Sequence, residues 1–118
     1  MSAPNGTWKI NANGATGILI LSGPLSGSGP ITGTVFGDPL GGVWDDDSQV
    51  LSFSRAAHND HDCQFEVYTG TLLPKYSTPD ESMPGGGQVP PMITGDFGTM
   101  SAAARFGVSG RFGWFATL

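Results

Sequence analysis

The sequence predicts an all-β domain, specifically an eight-stranded antiparallel up-and-down β-barrel. Three observations predict it. No apolar period of helical spacing and useful length occurs in the 118 residues. Short β-branched and aromatic runs recur instead, punctuated by 19 Gly and 9 Pro, the signature of strands and tight turns. Successive runs are joined without a crossover helix, which closes most simply into a barrel with room for side chains or one small ligand. Closure also removes sheet edges, which this chain does not protect with charge. A β-sandwich is the alternative. The length suits one domain over residues 1–118, able to bury about two-thirds of its unfolded surface.

The first strand begins at Trp8-Lys9-Ile10, and Asn13-Gly14 is a hairpin turn signal. Residues 15–22 form the second strand. Its run Ile18-Leu19-Ile20-Leu21 predicts cover on both faces, from the core on one and a partner subunit on the other. A Gly/Ser loop over 23–29 leads to four central strands at 31–37, 42–44, 49–55 and 63–73. Asp45-Asp46-Asp47-Ser48 turns the chain between two of them, because such side chains bond back to their own backbone. Thr32-Gly33-Thr34, Thr69-Gly70-Thr71 and Thr94-Gly95-Asp96 recur, and glycine within a β-run marks a bulge or bend. Residues 74–91 make a long Gly/Pro-rich loop with no packed face, expected to act as a mobile lid. Seventh and eighth strands follow at 92–100 and 110–118, with one short helical turn expected at 101–104.

Composition excludes several classes. A net charge of −5 with no Lys/Arg cluster argues against nucleic acid and against anionic membranes. The longest apolar run is far too short to span a bilayer as a helix. The polar opening Met1-Ser2-Ala3-Pro4-Asn5-Gly6-Thr7 does not read as a signal peptide, so a cytoplasmic protein is expected, in which the Asn5-Gly6-Thr7 sequon has no role. A single cysteine allows no internal disulfide.

Several of these residues together resemble the avidin and streptavidin family. Gly6-Thr7-Trp8 looks like that family's first-strand Gly-Thr-Trp, and Asn13-Gly14-Ala15 sits where it has a Gly-Ser turn. Gly29 to Val35, with its Thr32-Gly33-Thr34, is similar to the family's third strand. Gln64 to Leu72, ending Tyr68-Thr69-Gly70-Thr71-Leu72, resembles its sixth. The likeness covers residues 6–73 and implies an avidin-like, calycin-like barrel. The biotin-contacting groups are not retained. Ile10 stands where the family has the Asn that bonds the ureido oxygen, Ala15 replaces a turn Ser, Val35 a Tyr and Gly37 a Ser. Gln64 and Glu66 occupy its polar sixth-strand positions, and Tyr68 that of a Trp. A site built on hydrogen bonds loses heavily when its polar groups go, so tight biotin binding is not expected.

The resemblance implies a register. It turns inward Trp8, Ile10, Ile31, Gly33, Val35, Gly37, Leu51, Phe53, Arg55, Gln64, Glu66 and Tyr68. Alternation of hydrophobicity alone would instead bury Phe65 and Val67. Both hold if Phe65 and Val67 are covered by another subunit, which predicts a homo-oligomer. Arg55 and Glu66 then belong to one hairpin, closed by 56–62, and lie nearly opposite at a diagonal distance. A charged pair inside a narrow barrel is costly unless hydrogen-bonded or bound to something. Three readings of it stay open: a rim salt bridge, a polar anchor for a ligand carboxylate, amide or hydroxyl, or a general base at Glu66.

Other constellations are weaker. His58, His61 and Cys63 with Asp60 and Asp62 are metal-ligand types, but their spacing matches no closed site and an Asn/Asp-rich hairpin loop explains them. Asp45-Asp46-Asp47 lacks the spacing of a calcium loop, and Gly85-Gly86-Gly87 precedes no Lys-Ser/Thr or helix. Phe106, Phe112, Trp114 and Phe115 are read as core and interface, with Trp114 a candidate pocket wall. The expected function is a non-enzymatic, homo-oligomeric, small-molecule-binding barrel with no metal and no cofactor. Trp8, Phe53, Tyr68 and Trp114 form its aromatic floor, and Arg55, Gln64 and Glu66 its polar anchors. The alternatives are an enzyme using Glu66 or Asp96 as acid/base inside the barrel, and a filled barrel that works through its outer walls.

Overall fold

The computed structural model describes residues 3–58, 63–73, 90–101 and 108–118, without the side chains of 56–58, 63, 64, 100, 101 and 108–110. Eight strands run in sequence: β1 (Gly6–Ala12), β2 (Ala15–Ser22), β3 (Gly29–Val35), β4 (Asp38–Asp45), β5 (Val50–His58), β6 (Cys63–Leu73), β7 (Met92–Ser101) and β8 (Val108–Thr117). Each pairs antiparallel with the next, and β8 returns to β1 from Lys9↔Thr117 to Ala12↔Trp114. The molecule is therefore a closed up-and-down barrel, not a sandwich. No helix of the described residues is long and apolar enough to cross a membrane.

The element boundaries differ from expectation where turn chemistry decides them. The third strand ends at Val35, not at residue 37. Phe36 (φ 51°) and Gly37 (φ 82°) both take left-handed backbone, the conformation a two-residue hairpin needs to match strand twist. Gly37 is thus a turn residue and not an interior strand position. β4 consequently starts at Asp38 instead of Gly42. Pro39 is tolerated because the β4–β5 ladder begins only at Leu40, leaving this end of β4 an edge. Gln49 (φ 59°) belongs to the turn, not to β5. β5 continues to His58, so its connection to β6 shortens to 59–62, which with His61 lies outside the described residues. Ser101 is the last residue of β7 rather than the start of a helical turn, and 102–104 lie outside the description. β8 starts two positions earlier than expected, opposite a register shift at Thr99/Met100.

The acidic turn is built from its own side chains. Asp45 Oδ1 accepts from Asp47 N (3.1 Å), Asp45 Oδ2 from Ser48 Oγ (2.9 Å), and Asp46 Oδ1 from Trp44 Nε1 (3.2 Å). At the same barrel end, Asn5 Oδ1 accepts from Gly23 N (2.6 Å) and Trp8 Nε1 donates to Pro4 O (2.9 Å), so the N-terminal segment is fastened to that end.

Alternation sets the core. Ile10, Leu19, Ile31, Val35, Trp44, Leu51, Phe53, Tyr68, Ile93 and Trp114 all point inward and are almost fully buried, each such large side chain contributing about 1.5–3 kcal/mol. The conflict over β6 resolves in favour of the register with Glu66 and Tyr68 inside, since Phe65 and Val67 are 44% and 43% exposed. The physical reason is cross-strand. Tyr68 is the ladder partner of both Phe53 on β5 and Phe97 on β7, and one ring layer forms only if all three face inward.

The recurring Thr-Gly tripeptides serve that layer. Gly70 pairs with Gly95, and Gly95 with Trp114. With no side chains in the way, the Trp114 indole lies over these neighbouring strands, and its Nε1 donates to Asp96 O (3.0 Å) and Thr69 O (3.3 Å). A Cβ on Gly70 would stand 2.5 Å from the indole, closer than packed atoms approach.

Candidate site at the barrel mouth

The end of the barrel that carries the 13–14 and 36–37 turns holds a recess among the described residues. This recess, of about 220 Å³, is lined by Ala12 and Ala15 from the first hairpin, Phe36 from the second turn, Arg55 and Glu66 from β5 and β6, and Tyr68 and Phe97 below them. Sequence position explains each. Arg55 and Glu66 are the next inward positions after Phe53 and Tyr68, so alternation carries the polar pair to the rim just above the ring layer. They are direct ladder partners, closer than the diagonal relation expected.

Arg55 is held from two sides. Its Nη1 meets Glu66 Oε1 at 2.5 Å, while Nε (2.9 Å) and Nη2 (2.7 Å) donate to Asp38 Oδ2. The Tyr68 hydroxyl donates to the same Glu66 Oε1 at 3.0 Å. Side-chain exposures of 17% for Arg55, 15% for Glu66 and 36% for Asp38 make this a half-buried rim cluster. Burial works against the Arg55 charge, but hydrogen bonds to Asp38 and Glu66 and the charge of both carboxylates outweigh it and raise its pKa. Burial, followed by the Glu66 charge and hydrogen bond, pushes the Tyr68 phenol well above its ordinary value, so at neutral pH it is a donor. The Phe36 ring lies beneath the guanidinium, 5.0 Å from centroid to Cζ, within cation–π range. Room for that ring comes from Gly17, where any Cβ would collide with it.

Below the cluster the rings form a continuous floor. Phe53 and Tyr68 stack at 4.7 Å, Tyr68 and Phe97 at 4.8 Å, and Trp114 meets Phe53 and Tyr68 edge-on at 5.9 and 5.7 Å, favourable geometries for aromatic pairs. Of the residues expected in the site, Arg55, Glu66 and Tyr68 line the recess, while Phe53 and Trp114 are buried behind them, packed on Tyr68. Gln64 has the inward register, opposite Ala57, but its side chain lies outside the description. Trp8 does not join them. It is four positions down β1 from Ala12, about 13 Å along the strand, and its indole is committed to Pro4. Asp96, weighed as an acid/base inside the barrel, is exposed, because its neighbours Ile93, Gly95 and Phe97 alternate on the inner side.

The expected lid, 74–91, falls largely outside the described residues. Its anchor at Leu73 is seven positions along β6 from Glu66, about 23 Å away at the opposite end. His61 lies outside the description, as do the side chains of His58 and Cys63. Among the described residues no group of His, Cys, Asp and Glu could hold a metal ion.

Phe36, Asp38 and Phe97 complete the mouth and were not read from the sequence. For the first two the available signal was Phe36-Gly37 as a two-residue turn, which places the flanking residues on one hairpin end. For Phe97 it was the period-two series Ile93, Gly95, Phe97. A wider depression of about 480 Å³ lies where Lys9, Thr16, Ile18 and Phe115 line the wall around β1. Its polar lining is Lys9, Asn11, Thr16 and Thr117, with no stacked aromatic floor or charged pair like those of the smaller mouth, which is the better candidate for recognition. Comparisons of the chain with protein-family models, with curated proteins and with solved structures find no match.

Proposed function

We propose that this chain is a non-enzymatic, small-molecule-binding barrel of avidin-like architecture that works as a homo-oligomer without a cofactor. The observation that carries the reading is the mouth recess: a stacked aromatic floor under a half-buried cluster of charge. That combination suits a ligand with one flat apolar face and a few polar atoms. Its volume, about 220 Å³, is below that of drug-sized sites, so the ligand is small. Catalysis is the weaker reading, because Glu66 Oε1 already accepts from both Arg55 and Tyr68 and the other candidate, Asp96, faces outward. Tight biotin binding is not proposed. Ile10 and Val35 are buried apolar side chains, and Ala15 brings a methyl group to the mouth where the resembled family uses hydroxyl and amide groups.

The oligomer reading rests on the outer walls, where Ile18, Ile20, Val43, Phe65, Val67 and Phe115 are all substantially exposed. Scattered apolar residues are ordinary on a surface, but pairs on alternate positions of β2 and β6 make stripes suited to a partner wall. Native mass spectrometry of the protein from its own source, first gentle and then activating, tests both parts. The expected result is an oligomer that releases a discrete small organic mass. A monomer with no retained mass would overturn the reading, and an oligomer with none would favour a filled interaction barrel.

A further inference from the structure

Among the described residues the mouth cluster is unbalanced in charge. Two carboxylates, Asp38 and Glu66, surround the Arg55 guanidinium there, and both interactions are made through direct contacts. Each of the three guanidinium nitrogens already donates to one of them, and one face of the plane rests on Phe36. These contacts use three of the five guanidinium N–H groups. An incoming carboxylate that reached the other two would bring a third anion against one cation, beside Asp38 and Glu66 at the rim of a narrow barrel, where charges are less screened than in water. The same groups offer acceptors. Glu66 Oε2 has no hydrogen bond among the described residues, whereas Oε1 takes both donors. The Tyr68 hydroxyl is spent on Glu66, which leaves its ring, with that of Phe97, as the apolar floor.

Building on the binding function proposed above, we infer that the mouth selects small planar ligands bearing hydrogen-bond donors, neutral or cationic, and rejects carboxylates. Arg55 is the brace that holds Asp38 and Glu66 in place and is not the ligand's anchor. This reverses the simplest expectation for an arginine in a pocket. Specificity here comes as much from repelling the wrong charge as from attracting the right one.

Three compounds of matched shape test this: benzamidine (cationic), benzamide (neutral) and benzoate (anionic). Each is titrated into the intact protein at neutral pH and followed by ligand-observed NMR and by tryptophan emission. Benzamidine is expected to bind at least about ten-fold more tightly than benzoate, a gap of about 1.4 kcal/mol, with benzamide between them. Asp38→Asn, at the more exposed position, neutralises the cluster and should shrink that gap. Asp38→Asn with Glu66→Gln leaves Arg55 in excess and should invert the order, with circular dichroism confirming that the variants fold. Benzoate binding the native protein as well as benzamidine would overturn the charge selection while leaving the binding function standing. If none of the three perturbs the protein, and the protein from its own source retains no small mass, the binding function itself fails and the inference falls with it.

Discussion

Arg55 and Glu66 are direct partners across the β5–β6 ladder, and their charged tips meet 2.5 Å apart with Asp38 on the far side of the guanidinium. The arrangement makes Arg55 the shared counter-ion of two carboxylates at the rim. Its removal therefore costs more than that of either partner, because it leaves like charges together in a partly buried place.

Arg55→Met should lower the unfolding free energy by about 2–4 kcal/mol, toward the lower end because the site keeps some solvent. Asp38→Asn should cost about 0.5–1 kcal/mol, the range of exposed pairs. Urea unfolding monitored by tryptophan emission measures both. Equal losses in the two variants would mean that the cluster does not share one cation.

The glycines under Trp114 should differ in what they tolerate. Gly70→Ala pushes a methyl into the indole, which can tilt at a cost of about 1–3 kcal/mol with a shift in its emission. Gly95→Ala drives a methyl into the Thr69 carbonyl, which is backbone and cannot rotate away, so the loss should be larger. Gly41→Ala, which meets nothing within 4 Å, is the control and should be close to neutral. If Gly41→Ala were as damaging as Gly95→Ala, crowding would not be the cause.

Tyr68 gives the barrel an alkaline limit. Its folded pKa is raised above the ordinary phenol value of about 10, so the folded state holds the proton more tightly than the unfolded chain. The corresponding stability is complete below about pH 10 and is lost as pH rises through the folded value. In a Tyr76→Phe background, where Tyr68 is the remaining tyrosine, ultraviolet difference absorbance should show ionisation only above the ordinary range and together with unfolding. Ionisation near pH 10 with the fold intact would contradict the buried, Glu66-bonded phenol.

The proposed assembly separates two neighbouring residues. Phe65→Asp places a charge on the exposed stripe of β6 and should convert the oligomer to monomer in sedimentation velocity. Glu66→Gln, one position along but on the inner face, should leave the assembly intact. A monomer for the native chain would remove the assembly reading.

The sequence by itself determined the fold class, the strand order and most of the inner face. Those follow from local rules that act along the chain: alternation of period two, glycine and asparagine at turns, and sequential hairpins that have one simple way to close. That Arg55 and Glu66 share one hairpin and lie nearly opposite was legible too. Their inner face, however, came from the family resemblance and not from alternation, and the expected relation was diagonal where the ladder is direct. The tertiary structure decided what surrounds that pair. Asp38 reaches Arg55 only because Phe36 and Gly37 take left-handed backbone and start β4 four residues early, and turn conformation depends on what the flanking strands can pair with. Phe36 folds over Gly17 of a different hairpin, and Phe97 joins the floor across a connection through residues 74–91; neither contact leaves a trace in local spacing. Trp8 and Trp114 both face inward, yet only Trp114 packs against the ring layer beneath the mouth. Alternation fixes the side of the wall on which a residue lies, whereas its height along the barrel is set by the stagger of strands as the sheet closes.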